Sequence, residues 1–127
     1  MSKTNYLEDS LINHVLRGVA YAMPPAIYVA VFTTAPTDPG GGVEVSGGSY
    51  ARQACTFAAP SAGTTTNDIP VVFPTASAGW GTVTSFALMD ALVGGNMLYF
   101  ANLNAARIVL TGDVLSFPIG QLQVVED

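Results

Sequence analysis

From residue 24 onward the sequence is cut into short pieces by turn-forming residues, and this spacing constrains the fold more than any other feature. Pro24-Pro25, Ala62-Gly63 with Asn67-Asp68, Ala78-Gly79-Trp80-Gly81, Gly94-Gly95-Asn96 and Thr111-Gly112-Asp113 are all turn signals. Glycine tolerates positive φ, proline fixes φ, and Asn or Asp bonds back to its own backbone. The pieces between them are rich in β-branched and aromatic residues, which suit a pleated surface. They predict strands over residues 27–34, 50–57, 69–73, 82–89, 97–103, 107–110, 114–117 and 121–125. About eight short strands joined by Gly/Pro turns predict a mainly β protein, an antiparallel β-sandwich of jelly-roll-like form. No internal repeat or second domain is visible, so residues 1–127 are expected to form one sandwich domain.

The N-terminal segment is the exception. Leu7, Leu11 and Val15 recur every four residues, and Ile12 and Leu16 widen the apolar stripe, so a helix is predicted over residues 6–17. Asn5 with Glu8 approximates a capping pair, and Gly18 supplies a stop. Glu8 and Asp9 near the start and Arg17 near the end suit the helix dipole. This is the whole helical content expected.

Residues 27–34 are apolar on both faces: Ile27, Val29 and Val31 alternate with Tyr28, Ala30 and Phe32. An antiparallel strand with one wet face alternates apolar with polar, so this one is expected to be covered on both sides. Residues 35–49 (APTDPGGGVEVSGGS) read as a long Pro/Gly loop. Loops of that length in compact domains are usually functional or flexible.

Charge is scarce. Charged residues make up 10% of the chain against 50% hydrophobic, whereas an ordinary soluble domain carries about 25% charged. Disorder is excluded, because disordered chains are apolar-poor and charge-rich. Residues 19–32, the longest uncharged apolar stretch, fall short of the ~20 needed to span a bilayer and contain two prolines. No signal peptide is visible, so the protein is expected to be made in the cytoplasm and used without secretion. The four basic residues, Lys3, Arg17, Arg52 and Arg107, are scattered against nine acidic ones, for a net charge of -5. Nucleic acid, which demands clustered cations, is not an expected partner. A chain this poor in polar surface is expected to complete that surface with other subunits.

Catalytic and metal-binding chemistry finds little to work with. His14 is the single histidine and Cys55 the single cysteine. No nucleophile motif accompanies them, and a histidine-rich metal site is excluded on count. Asp90 and Asp113 stand at strand ends beside turn residues, where Asp is favoured for turn geometry. The 38–44 loop lacks a calcium ligand ladder, and the glycine runs 40–42 and 47–48 lack the Lys-Ser/Thr of a phosphate cradle. No enzyme activity, metal or cofactor is expected. Trp80, flanked by glycines, reads as a core plug or as an exposed platform. Tyr99 and Phe100 are consecutive and so face opposite sides of one strand. Leu7, Leu11, His14, Asp38, Glu44, Val45, Trp80 and Tyr99 are therefore the candidate interface residues.

Several segments resemble a family of small tailed-bacteriophage virion proteins. They are residues 6–18 (YLEDSLINHVLRG), 24–38 (PPAIYVAVFTTAPTD) and 44–52 (EVSGGSYAR), then 73–76 with 80–84, and Gly112-Asp113 with Ser116-Phe117. Ala87-Leu88-Met89-Asp90 stands where the family pattern has Gly-Ile-Phe/Tyr-Asp. Members go by the name of tail-fibre proteins, while their size and sandwich also resemble jelly-roll capsid cement proteins. The resemblance implies a virion component with no catalytic residues. The leading expectation is a cement protein on the outer capsid, with the major capsid protein and copies of itself, as dimer or trimer, for partners. The alternative is a tail-fibre or tail-tip component, with other tail proteins as partners. A hydrolase acting on host polysaccharide is the weakest expectation.

Overall fold

The short β-prone pieces pair in the computed structural model, which describes residues 1–126. In chain order the elements are β1 (Ser2–Lys3), α1 (Asn5–Arg17), β2 (Ile27–Thr34), β3 (Val43–Glu44), β4 (Gln53–Cys55), β5 (Thr64–Thr66), β6 (Val71–Val72), β7 (Gly81–Met89), β8 (Met97–Val109), β9 (Ser116–Phe117) and β10 (Gln123–Val125). The main sheet runs β1-β8-β7-β2, and the free edge of β2 is shared by β3 and β4. The ribbons β5·β10 and β6·β9 supply a second layer, and every pairing is antiparallel. The fold is mainly β with antiparallel sheets and a single helix at the N-terminus. Ribbons rather than a second broad sheet form the facing layer.

Cross-strand register sets the faces. Val29 lies opposite Leu88, and Val31 opposite Phe86. These side chains point inward and pack against Val71, Phe73, Phe117, Leu122 and Val124 of the second layer. Phe73 is central: its ring lies 6.0 Å from Tyr50, 6.2 Å from Trp80 and 6.3 Å from Phe117. Ala30, Phe32, Ala87 and Met89 point the other way and form a second buried cluster, flanked by Tyr28, Met97 and Phe100. Both faces of β2 are thus covered, as its two-sided apolar pattern requires. Asn67 is buried among these layers and fully bonded. Its amide donates to the Ile69 and Pro118 carbonyls and its Oδ1 accepts from Leu122 N–H, which ties the ribbons together.

Several boundaries differ from the sequence expectation. The strands expected at 97–103 and 107–110 are one strand, β8, because no Gly or Pro separates them. The surplus is absorbed as a bulge: only Thr84 lies between the paired residues Val83 and Ser85, while residues 103–106 lie between their partners Arg107 and Asn102. The 35–49 segment is not one open loop. Gly40, Gly41 and Gly42, all at positive φ, turn the chain back so that Val43 pairs with Thr34. β1 and β5 carry no strong strand signal, since each is short and held by its partner. The helix starts one residue earlier than expected. Its N-cap is Thr4, not Asn5, with Thr4 Oγ1 accepting from Leu7 N–H, and Gly18 closes it in the left-handed conformation at φ 67°.

Candidate interaction surfaces

Two of the candidate residues, Glu44 and Val45, lie where the 43–52 segment folds onto the main sheet. Arg52 binds Glu44 through two parallel bonds, Nε to Oε2 at 2.9 Å and Nη2 to Oε1 at 2.8 Å. The remaining nitrogen, Nη1, donates to the Ala91 and Gly94 carbonyls and so pins the turn between β7 and β8. Tyr50 O–H donates to Glu44 at 2.6 Å, while its oxygen accepts from Val31 N–H. Burial pushes the Glu44 carboxyl up, but the bonds from Arg52 and Tyr50 and the Arg52 charge outweigh this and leave it below its ordinary value. Burial, then the Glu44 carboxylate, raises the Tyr50 hydroxyl far above the usual phenol. Glu44 is therefore committed to holding its own fold.

Trp80 is the core plug. It is 5% exposed, and its indole N–H donates to the Gly48 carbonyl at 2.9 Å. Gly48 sits at φ 58°, and a Cβ there would lie 2.8 Å from Trp80 Nε1, so only glycine lets the loop approach. The platform alternative for Trp80 is corrected by this burial, because no face of the ring is free for a partner. Val45 and Leu7 are buried in the same way, at 5% and 4%. As interface candidates they are corrected too: Val45 belongs to the inner core, and Leu7 is the side chain that seats α1.

The other candidates remain at the surface to differing degrees. Leu11 is half-buried and His14 exposed, with His14 Nδ1–H donating to the Val19 carbonyl at 3.1 Å. Asp38 is exposed in a tight turn, and its carbonyl accepts from Asn5 N–H at 2.9 Å, joining that turn to the helix start. Tyr99 is half-buried and donates to Glu126, which also accepts from Lys3 at 2.7 Å. The two chain ends are thereby clasped together on β8. The structure does not bring the eight candidates into one patch.

The N-terminal helix is an expected contact element, and what it exposes is an apolar arm formed by its second half together with the segment that follows it, which sequence reading did not mark. Ile12, Val15, Leu16 and Met23 are 53%, 72%, 76% and 85% exposed, and Val19 is also exposed. A signal for it exists in the helix itself. At 100° per residue, Leu7 and Leu16 point about 180° apart, wider than the ~100° stripe one packing face can bury. Leu7 takes the inward side, and Ile12, Val15 and Leu16 are left outside.

Reactive groups are tied up or muted. Asp90 accepts both the backbone and side-chain N–H groups of Asn96, and Asp113 accepts Leu110 N–H, so both carboxylates serve their turns. Cys55 is buried, and its thiol is pushed up to about 11, chiefly by desolvation with a smaller contribution from Asp68. Among the described residues no three His, Cys, Asp or Glu side chains group as a metal site would need, and no helix is long and apolar enough to cross a membrane.

No curated protein matches this chain. A family model described as Podophage GP4 fiber I protein gp80 matches residues 2–125, nearly the full length. The chain belongs to this podophage fibre protein family.

Proposed function

We propose that this chain is a non-catalytic structural component of a podophage tail fibre, built into the virion through its apolar arm. The observation that carries the reading is the arm: large aliphatic side chains from Ile12 to Met23 face solvent on a chain with only 10% charged residues. Contiguous exposed apolar surface on a soluble domain marks a contact site. Burying five such side chains contributes on the order of 5–10 kcal/mol before the entropy of association is subtracted. That is enough for a contact repeated within an assembly.

The family's description names a fibre protein, and it supports a fibre position better than the capsid cement role expected from sequence. The cement expectation rested on size and sandwich architecture, which serve a shell-binding domain and a fibre domain equally. A structural role also suits side chains engaged in turns, ion pairs and core packing. Gold-labelled antibody against the folded chain, applied to purified virions, tests the position. Label confined to the tail is expected; label spread over the capsid overturns the fibre reading and restores the cement one.

A further inference from the structure

A second surface lies along β8, away from the arm. β1 pairs only with Tyr99 and Phe100, so from Ala101 onward the outer edge of β8 has no strand partner among the described residues. There the two layers part and leave a groove of about 490 Å³. Its lining is mixed: Leu103 and the largely buried Phe86, Phe117 and Leu122 are apolar, while Asn102, Gln121 and Arg107 are exposed and polar.

Charge decides what fits. Lys3 is paired with Glu126, Arg52 with Glu44, and Arg17 is bonded to the Asn13 side chain. Arg107 is the one base with no hydrogen bond or ion pair among the described residues, and it is exposed. The outward face of α1 carries the reverse pattern: Glu8 and Asp9, exposed and without ion pairs among the described residues, lie beside Ile12, Val15 and Leu16. Within one chain these surfaces do not meet, since the arm stays exposed.

We infer that the groove beside β8 receives the arm of a second copy of this chain, with Glu8 and Asp9 opposite Arg107. A net charge of -5 makes two copies repel at long range, so a contact that sets this local cation against local anions is favoured over other orientations. Arm and groove are different surfaces, which makes the contact heterologous. Such contacts propagate until they close a ring or extend as an open row. The inference names the partner of the arm and rests on the reading above. Virion labelling tests location and sedimentation tests the contact, so either can fail without the other.

Sedimentation velocity of the full chain over a range of concentrations is the test, with wild type, Leu16→Glu and Arg107→Glu. Both altered positions are exposed, and emission from the buried Trp80 checks that each variant is folded. Wild type is expected to self-associate, and each variant to do so at least about tenfold more weakly, equivalent to ~1.4 kcal/mol. Adding Glu8→Arg to Arg107→Glu is expected to restore association. An equimolar mixture of the two single variants is expected to stop at a one-to-one complex, because one intact arm and one intact groove remain. Wild type that stays monomeric overturns the inference. So does loss of association in Leu16→Glu alone, which assigns the arm to arm–arm pairing.

Discussion

Arg52 illustrates how much of this fold depends on single side chains. It neutralises a half-buried carboxylate and holds a turn from a neighbouring hairpin, using nitrogens that a planar guanidinium presents in fixed directions. Arg52→Ala strands Glu44 and frees two carbonyls, and we expect it to cost about 3 kcal/mol in urea unfolding. Arg52→Lys is expected to recover less than half of that, because an ammonium cannot make the two parallel bonds. Glu44 also sets a pH dependence. Its folded value is depressed, so its contribution is full above the ordinary carboxylate range, which for this group is 4.5, and is lost as pH falls through the folded value. Stability measured from pH 6 downward is expected to fall less steeply in Glu44→Gln than in wild type; parallel curves would contradict this. Neither role was legible in the sequence. Glu44 and Arg52 sit eight positions apart around a glycine turn, and only the fold makes them partners. The turn roles of Asp90 and Asp113 were legible, because each carboxylate bonds within its own turn, to Asn96 and to Leu110 N–H, among neighbouring residues.

At the scale of elements, local pattern identified the parts whose stability is local. Residues 27–34 declared a strand covered on both sides, and β2 is that strand. Elements held by partners were invisible: β1 is two residues pinned to Tyr99 and Phe100, and β5 is three threonines paired with β10. The β8 bulge was equally hidden, since Asn104-Ala105-Ala106 resembles neither strand nor turn. The helix misled for a different reason, as its apolar residues cover two opposite faces and only one is used internally. This yields a contrast between two leucines of the same helix. Leu7→Ala is expected to cost about 3 kcal/mol, because a buried anchor is lost. Leu16→Ala is expected to stay within about 0.5 kcal/mol in the dilute chain. Thermal melts followed by far-ultraviolet circular dichroism compare the two directly, and equal losses would place Leu16 in the fold's own core.

For the whole molecule, low charge and abundant apolar surface have one explanation. The two buried clusters consume most of the inward strand side chains, and part of the excess is exposed on the arm, from Ile12 to Met23, with the rest spread over turns and strand edges such as Leu92-Val93. Composition foretold that surface would be shared with other subunits, but not where. The candidates chosen from sequence included Leu7, Val45 and Trp80, which the fold keeps for itself. Assembly into a fibre is a claim about solvent access, and Met23 reports on it, being 85% exposed and readily oxidised. Hydroxyl-radical footprinting of Met23 and Leu16 in the dilute free chain and in intact virions tests the claim most directly. Strong protection of both residues in the virion, with unchanged reactivity of the buried Met89, is the predicted result. Equal reactivity of Met23 and Leu16 in the two states would show the arm still facing water in the assembled particle, and would contradict it.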